Sequence, residues 1–213
     1  MSARAPGRVA GHAYWQARAV ALGARAVVNV DHPADGTLTD VTDAHRAILL
    51  PPLAALLNGD ERDVLDLGCG TGRFTADLAA LVGGRAIGVD PVAELLALAA
   101  ADPATEFRQL LPDAPLPLDD DCVDVVFTVT VLGGLIRDGE LEAMAAEVRR
   151  VLRPGGLLYL AESVSLDPEV EHWAPRTVAT YAEAFAWAPL REVAAFDDAG
   201  DAIAVLAGRA ARP

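Results

Sequence analysis

The sequence predicts an α/β fold, with a mainly parallel sheet covered by helices on both faces. Three observations carry this. From Val64 onward, short runs rich in Val, Ile and Leu alternate with longer helical patterns, as expected of strands buried on both sides. The helical patterns carry their own punctuation, with Pro91 early in one and Arg153-Pro154-Gly155-Gly156 as stop and turn after another. A chain of 213 residues that is 53% hydrophobic can also bury a sizeable core within one domain.

In chain order, residues 1–58 predict a helical cap, with helices over 12–25 and 40–57. A loop through Asp31-His32-Pro33-Ala34-Asp35-Gly36 joins them. Residues 60–213 predict the core. Its strands fall at 63–67, 85–90, 105–109, 122–129, 156–162, 190–196 and 202–208, and its helices at 72–82, 91–101, 138–151 and roughly 174–187. There is no internal repeat and no linker, so the whole of 1–213 is expected to be one domain. Segments 29–39 and 163–173 are expected to lie over a site.

Composition narrows the function. All 17 basic residues are arginine, and the net charge is −14. That charge argues against nucleic acid, whose binding rests on basic residues and released counterions. No run approaches the ~20 apolar residues of a membrane-spanning helix, and Arg18 and Arg25 interrupt the N-terminal apolar stretch. A cytoplasmic protein with a small-molecule partner and no membrane partner is expected; the oligomeric state is left open. The first 30 residues hold Arg4, Arg8, Arg18, Arg25 and no acid, which overlaps with transit peptides, but His12, Tyr14 and Trp15 suit a folded helix.

The chemistry centres on Asp63-Val64-Leu65-Asp66-Leu67-Gly68-Cys69-Gly70-Thr71-Gly72-Arg73-Phe74, a strand running through a glycine turn into a helix. Such a turn lets a ligand approach the main chain, and the helix start offers free N–H groups. The dinucleotide fingerprint needs a sixth-position glycine where Arg73 stands, and the acid Asp66 before the turn is unwelcome to a pyrophosphate. A ligand bearing an ammonium and a carboxylate suits the turn better. Asp90 ends the second strand, 24 residues after Asp66, where a carboxylate can accept both ribose hydroxyls or simply cap the helix at Pro91. Cys69 fits the turn as a small residue, and its distance from Cys122 argues against a disulfide.

Together with Leu116-Pro117-Leu118-Asp119-Asp120 and the Arg-Pro-Gly-Gly turn, these blocks resemble the class I S-adenosylmethionine-dependent methyltransferases, in particular the branch acting on small molecules. The resemblance implies a Rossmann-like three-layer sandwich with a seven-stranded sheet whose last strand is antiparallel. It implies S-adenosylmethionine as donor and S-adenosylhomocysteine as product. Asp66, Gly68 and Gly70 would line the methionine end, with Gly72 supporting the turn. Asp90 would hold the ribose, Pro91 and Val92 would lie beside the adenine, and Thr128 and Val129 would back the sulfonium. Where relatives often carry Gly-Asp-Ala, this chain has Gln109-Leu110-Leu111-Pro112-Asp113-Ala114, so Asp113 or Leu111 would meet the adenine. Where many relatives carry histidine after the fourth strand, this chain has Leu132-Gly133-Gly134-Leu135.

Acceptor residues are expected in the covering segments: Tyr14, Trp15, Trp173, Arg176 and Tyr181, with Glu162 at the end of the fifth strand. His172 is the candidate catalytic base, because an imidazole titrates near neutral pH. No metal site is expected. The competing functions are an S-adenosylmethionine-binding module without transfer activity and, further off, a nicotinamide-dependent oxidoreductase.

Overall fold

A computed structural model describes residues 11–29, 31–33, 36–166 and 172–211. Arg4, Arg8, Glu171 and parts of both covering loops lie outside the described residues. The elements are α1 (Gly11–Leu22) followed by a 3₁₀ turn (Gly23–Val27), α2 (Leu38–Leu56), β1 (Asp63–Leu67), α3 (Thr75–Val82), β2 (Arg85–Asp90) and α4 (Ala93–Leu96). They continue with β3 (Thr105–Gln109), β4 (Val123–Val129), α5 (Glu140–Val151), β5 (Leu152–Ser163), α6 (Val178–Ala184), β6 (Arg191–Asp198) and β7 (Asp201–Arg209).

All seven strands form one sheet in the order β3-β2-β1-β4-β5-β7-β6. β7 runs antiparallel to both neighbours, and the remaining pairs are parallel. This is the Rossmann-like sheet expected, with the last strand reversed. Side-chain alternation divides the core between the two faces. Leu65, Leu67, Val126, Leu158 and Leu160 pack toward Val148 of α5 and Tyr181 of α6. Their alternates Val64, Phe127, Leu157 and Tyr159 pack toward Leu49 of α2 and Leu78 of α3. A third, smaller cluster joins Ala19, Ala26, Val92 and Leu95, fastening the N-terminal segment to α4.

Several expected boundaries move, each for a local reason. The helix expected over 91–101 is α-helical only at Ala93–Leu96; Leu98 and Ala99 bond three residues back, which tightens the chain out of the α form. The helix expected over 174–187 begins at Val178, where the Thr177 side chain accepts the Thr180 N–H; Pro175 disfavours helix just upstream. The helix after the glycine turn starts at Thr75, because residues 68–74 are spent closing the turn. β5 begins at Leu152, which pairs with Val123, and a register shift absorbs the Arg-Pro-Gly-Gly run before Leu157 pairs with Val125. No described helix is long and apolar enough to cross a membrane.

Candidate active site

The parallel strands β1, β2, β4 and β5 end on the same edge of the sheet, and a cavity of about 1130 Å³ opens above it. A crevice at the carboxyl ends of the strands is where open α/β sheets take ligands. The volume exceeds the ~300–1,000 Å³ of a usual single-ligand pocket, so it has room for two ligands side by side.

The floor comes from the sheet. The N–H groups of Gly68 and Cys69 both bond the Val89 carbonyl, tying the glycine turn to the end of β2. The Asp90 carboxylate accepts the N–H of Gly70 at 2.9 Å through one oxygen and that of Val92 at 2.8 Å through the other. Burial pushes the Asp90 carboxyl up, while the amides of Val92 and Gly70 and the nearby His12 pull it down. Gly70 has φ +56°, and a Cβ there would meet Val27 Cγ1 at 2.5 Å, so neither the backbone nor the space admits a side chain. Gly68, Asp90, Pro91, Val92 and Val129 line the cavity, with Leu111 and Asp113 at the rim, where Arg137 holds Asp113 at 3.0 Å.

Other expected floor residues stand back from the main cavity. Asp66 lines a side pocket of about 30 Å³ that shares Gly68, Arg73 and Val129 with the large one. Its carboxylate accepts the Thr75 hydroxyl at 2.6 Å, and burial raises its pKa to about 7 against the pull of Thr75 and Arg73. Gly72 faces Phe107, and Thr128 is buried without lining the cavity, its hydroxyl without a hydrogen-bond partner among the described residues.

The cover comes from three distant segments. Tyr14 and His172 stack with ring centroids 3.6 Å apart and planes 8° apart, and Trp15 stands edge-on to both. Arg18 fixes this wall by lying over the Trp15 ring and donating to Tyr14 Oη, Ala26 O and Val28 O. Trp173 lies against Gly133 so closely that a Cβ there would fall 2.0 Å from the indole, and Trp15 lies against Gly134. The paired glycines are therefore the seat of two indoles. His172 is half-buried, and burial with the charge of Arg18 lowers its pKa.

Three residues expected at the acceptor stand outside the cavity. Glu162 is fully buried and accepts the N–H groups of Val131, Leu132 and Gly133; burial raises its pKa to about 7 against those bonds. Arg176 donates to the carbonyls of Leu132 and Leu135. Between them they clamp the turn after β4 from its amide and carbonyl sides. Tyr181 is buried in the core under α6. Their side chains are taken up by structure, for which residue type and spacing give no sign.

The sequence also gave no sign of a polar cluster on the cavity's far side. His32 and His45 both bond Asp198 Oδ1, at 2.6 and 2.8 Å, and Arg73 donates to His45 Nδ1 at 2.9 Å. Arginine can only donate, so the proton of His45 sits on Nε2 and points to Asp198. The three ligating atoms lie within 4.8 Å of one another, but a metal at Nε2 would need the lone pair that this proton occupies. The cluster instead pins the N-terminal cover to the β6–β7 hairpin, helped by Asn29 on the Asp198 carbonyl. His12, a further cavity-lining residue, likewise carries no motif.

Residues 64–156 match the family described as Methyltransferase domain. An uncharacterized methyltransferase of Mycobacterium tuberculosis is 42% identical over 114 residues, covering 52% of this chain and 44% of that protein. A probable methyltransferase of Aspergillus luteorubrus is 34% identical over 130 residues, covering 54% and 43%. The chain thus spans less than half the length of these curated relatives. The solved DhpI–SAH complex superposes with a TM-score of 0.66 at 22% identity, covering 96% of this chain and 97% of that one, which speaks to the fold. The glycine turn and Asp90 both lie within the residues matched by the Methyltransferase domain family, and the fold is that of the solved DhpI–SAH complex.

Proposed function

We propose that the chain transfers a methyl group from S-adenosylmethionine to a small-molecule acceptor held under the aromatic cover. The observation carrying this is one cavity lined both by Asp90 with the glycine turn and by the aromatic group Tyr14, Trp15, His172 and Trp173. The bound cofactor supplies a sulfonium-activated methyl group. Two features support its fit: the cradle at Gly70 that a side chain would fill, and an ionised carboxylate at the end of β2 whose oxygens each retain a free lone pair.

In this reading Asp90 takes the ribose hydroxyls, Pro91 and Val92 flank the adenine with Asp113 at its rim, and Gly68 and Gly70 meet the methionine end. Asp66 acts on that end through the side pocket, Gly72 supports the turn, and Val129 backs the sulfur with Thr128 beneath it. The aromatic wall orients the acceptor and excludes water, and most of the acceleration comes from alignment. His172, held neutral by its surroundings, accepts a proton where the acceptor arrives protonated. Glu162 and Arg176 hold the turn on which the cover rests, and Tyr181 supports it from the core. The net charge of −14 supports a small acceptor over a nucleic acid.

The test is a calorimetric titration with S-adenosylmethionine, followed by release of S-adenosylhomocysteine against a panel of small phenols, carboxylic acids and amines. Binding with turnover of a panel member supports the reading. Absence of S-adenosylmethionine binding overturns it, and binding without turnover across broad panels favours a non-catalytic binding module.

A further inference from the structure

Helix α1 contributes His12, Tyr14 and Trp15 to the lining of the cavity. Gly11 and Trp15 press on the turn at Gly134. His12 and Gln16, four residues apart on one helical face, turn instead toward the second strand and α4. Gln16 donates to Glu94 there, and His12 one turn earlier on that face lies near enough to Asp90 and Glu94 to act electrostatically on both carboxylates. His12 lines the cavity, yet its Nδ1 is buried and has no hydrogen-bond partner among the described residues. A buried ring nitrogen without a partner is uncommon and costs stability, unless a ligand completes it.

The donors and acceptors indicate which ligand atom that is. An ionised Asp90 can only accept, so ribose hydroxyls facing it must donate. Their oxygens keep lone pairs that no carboxylate can satisfy, and a donor has to come from elsewhere. Resting on the reading that S-adenosylmethionine occupies this cavity, we infer that His12 is a second ribose ligand, donating from Nδ1 to a hydroxyl oxygen whose proton Asp90 accepts. The nucleoside is then gripped from both sides, by the sheet through Asp90 and by the N-terminal helix through His12. Through α1, that grip also links cofactor occupancy to the wall formed by Tyr14 and Trp15.

The experiment is calorimetric titration of the full chain with S-adenosylhomocysteine and with 5′-methylthioadenosine, which keeps the nucleoside and lacks the amino-acid end. The variants are His12→Ala, His12→Asn and Asp90→Ala. One lost hydrogen bond predicts ~5–10-fold weaker binding of both ligands by His12→Ala. His12→Asn, whose amide nitrogen stands close to the place of Nδ1, should recover most of the loss. In the double variant with Asp90→Ala, the His12 effect should shrink, because the ribose is no longer held in place. Loss with S-adenosylhomocysteine alone would put His12 at the amino-acid end and overturn the assignment. So would equal loss in His12→Asn, or binding within twofold of wild type in His12→Ala while Asp90→Ala binds poorly. If the wild-type chain binds neither ligand, the cofactor reading itself fails, and the inference with it.

Discussion

The floor of the cavity and its cover are built on different principles. Most of the floor is continuous in sequence: residues 63–92 supply a strand, the glycine turn, α3, a second strand and Asp90, the bonds closing the turn run within that unit, and Val129 of β4 joins it from outside. The cover is assembled from pieces far apart in the chain. Tyr14 stacks on His172, Trp15 and Trp173 sit on Gly134 and Gly133, and His32 and His45 meet on Asp198. A ligand common to many proteins suits the first construction and a particular acceptor suits the second. One scaffold keeps its cofactor while its loops vary.

The largest effect that could break this division is on the floor. Gly70→Val places a β-branched residue at φ +56° and into Val27, and no measurable binding of S-adenosylmethionine by calorimetry is expected. Normal binding by the folded variant would move the cofactor elsewhere.

On the cover side, His172→Ala is expected to lower turnover ~10²–10⁴-fold if the imidazole accepts the proton, with S-adenosylmethionine affinity unchanged. The wild-type rate should fall as acid protonates His172, below its ordinary range because burial and Arg18 lower its pKa, and the variant should lose that limb. Full activity in the variant would shift the proton acceptor to another group.

Gly133→Ala offers a sharper cut, because it adds one methyl group where the Trp173 indole lies. A KM for the acceptor raised ~10-fold is expected, on the scale of ~1–2 kcal/mol for displaced packing, while the S-adenosylmethionine dissociation constant stays put. Equal losses in both constants would mean that floor and cover are not separable.

The smallest effect is on stability. The folded pKa of Glu162 is raised to about 7 by burial, so the folded state holds a proton that the unfolded chain has released above its ordinary value near 4.5. Stability from this group is full below pH ~4.5 and declines as pH rises through about 7. Glu162→Gln should flatten that decline in thermal melts, because the amide does not titrate while its oxygen can keep the two N–H bonds that Oε1 accepts from Val131 and Leu132. A slope unchanged by the substitution would place the titration on Asp66, whose carboxyl is raised to a similar value.

The same division explains what the sequence made legible. Strand positions, the glycine turn and Asp90 could be found because short runs of Val, Ile and Leu and glycine spacing are local signals, and the sheet follows them closely. Tyr14, Trp15, His172 and Trp173 could be named as cover residues, but not that they touch, since stacking across 158 residues leaves no periodic trace. Glu162, Arg176 and Tyr181 have side chains suited to ligand work, and the fold uses them as a clamp and as core. The Arg73, His45, Asp198 and His32 cluster was invisible for the converse reason: each of its members is an ordinary residue until three segments converge.

The central claim is that one cavity is shared, with the cofactor on the sheet edge and the acceptor under the aromatic cover. A crystal structure of the full chain with S-adenosylhomocysteine tests it most directly. The account predicts the ribose on Asp90, the adenine beside Pro91 and Val92, and free space beneath His172 and Trp173. S-adenosylhomocysteine seated among Tyr14, His172 and Trp173, with Asp90 still bonded only to Gly70 and Val92, would contradict it.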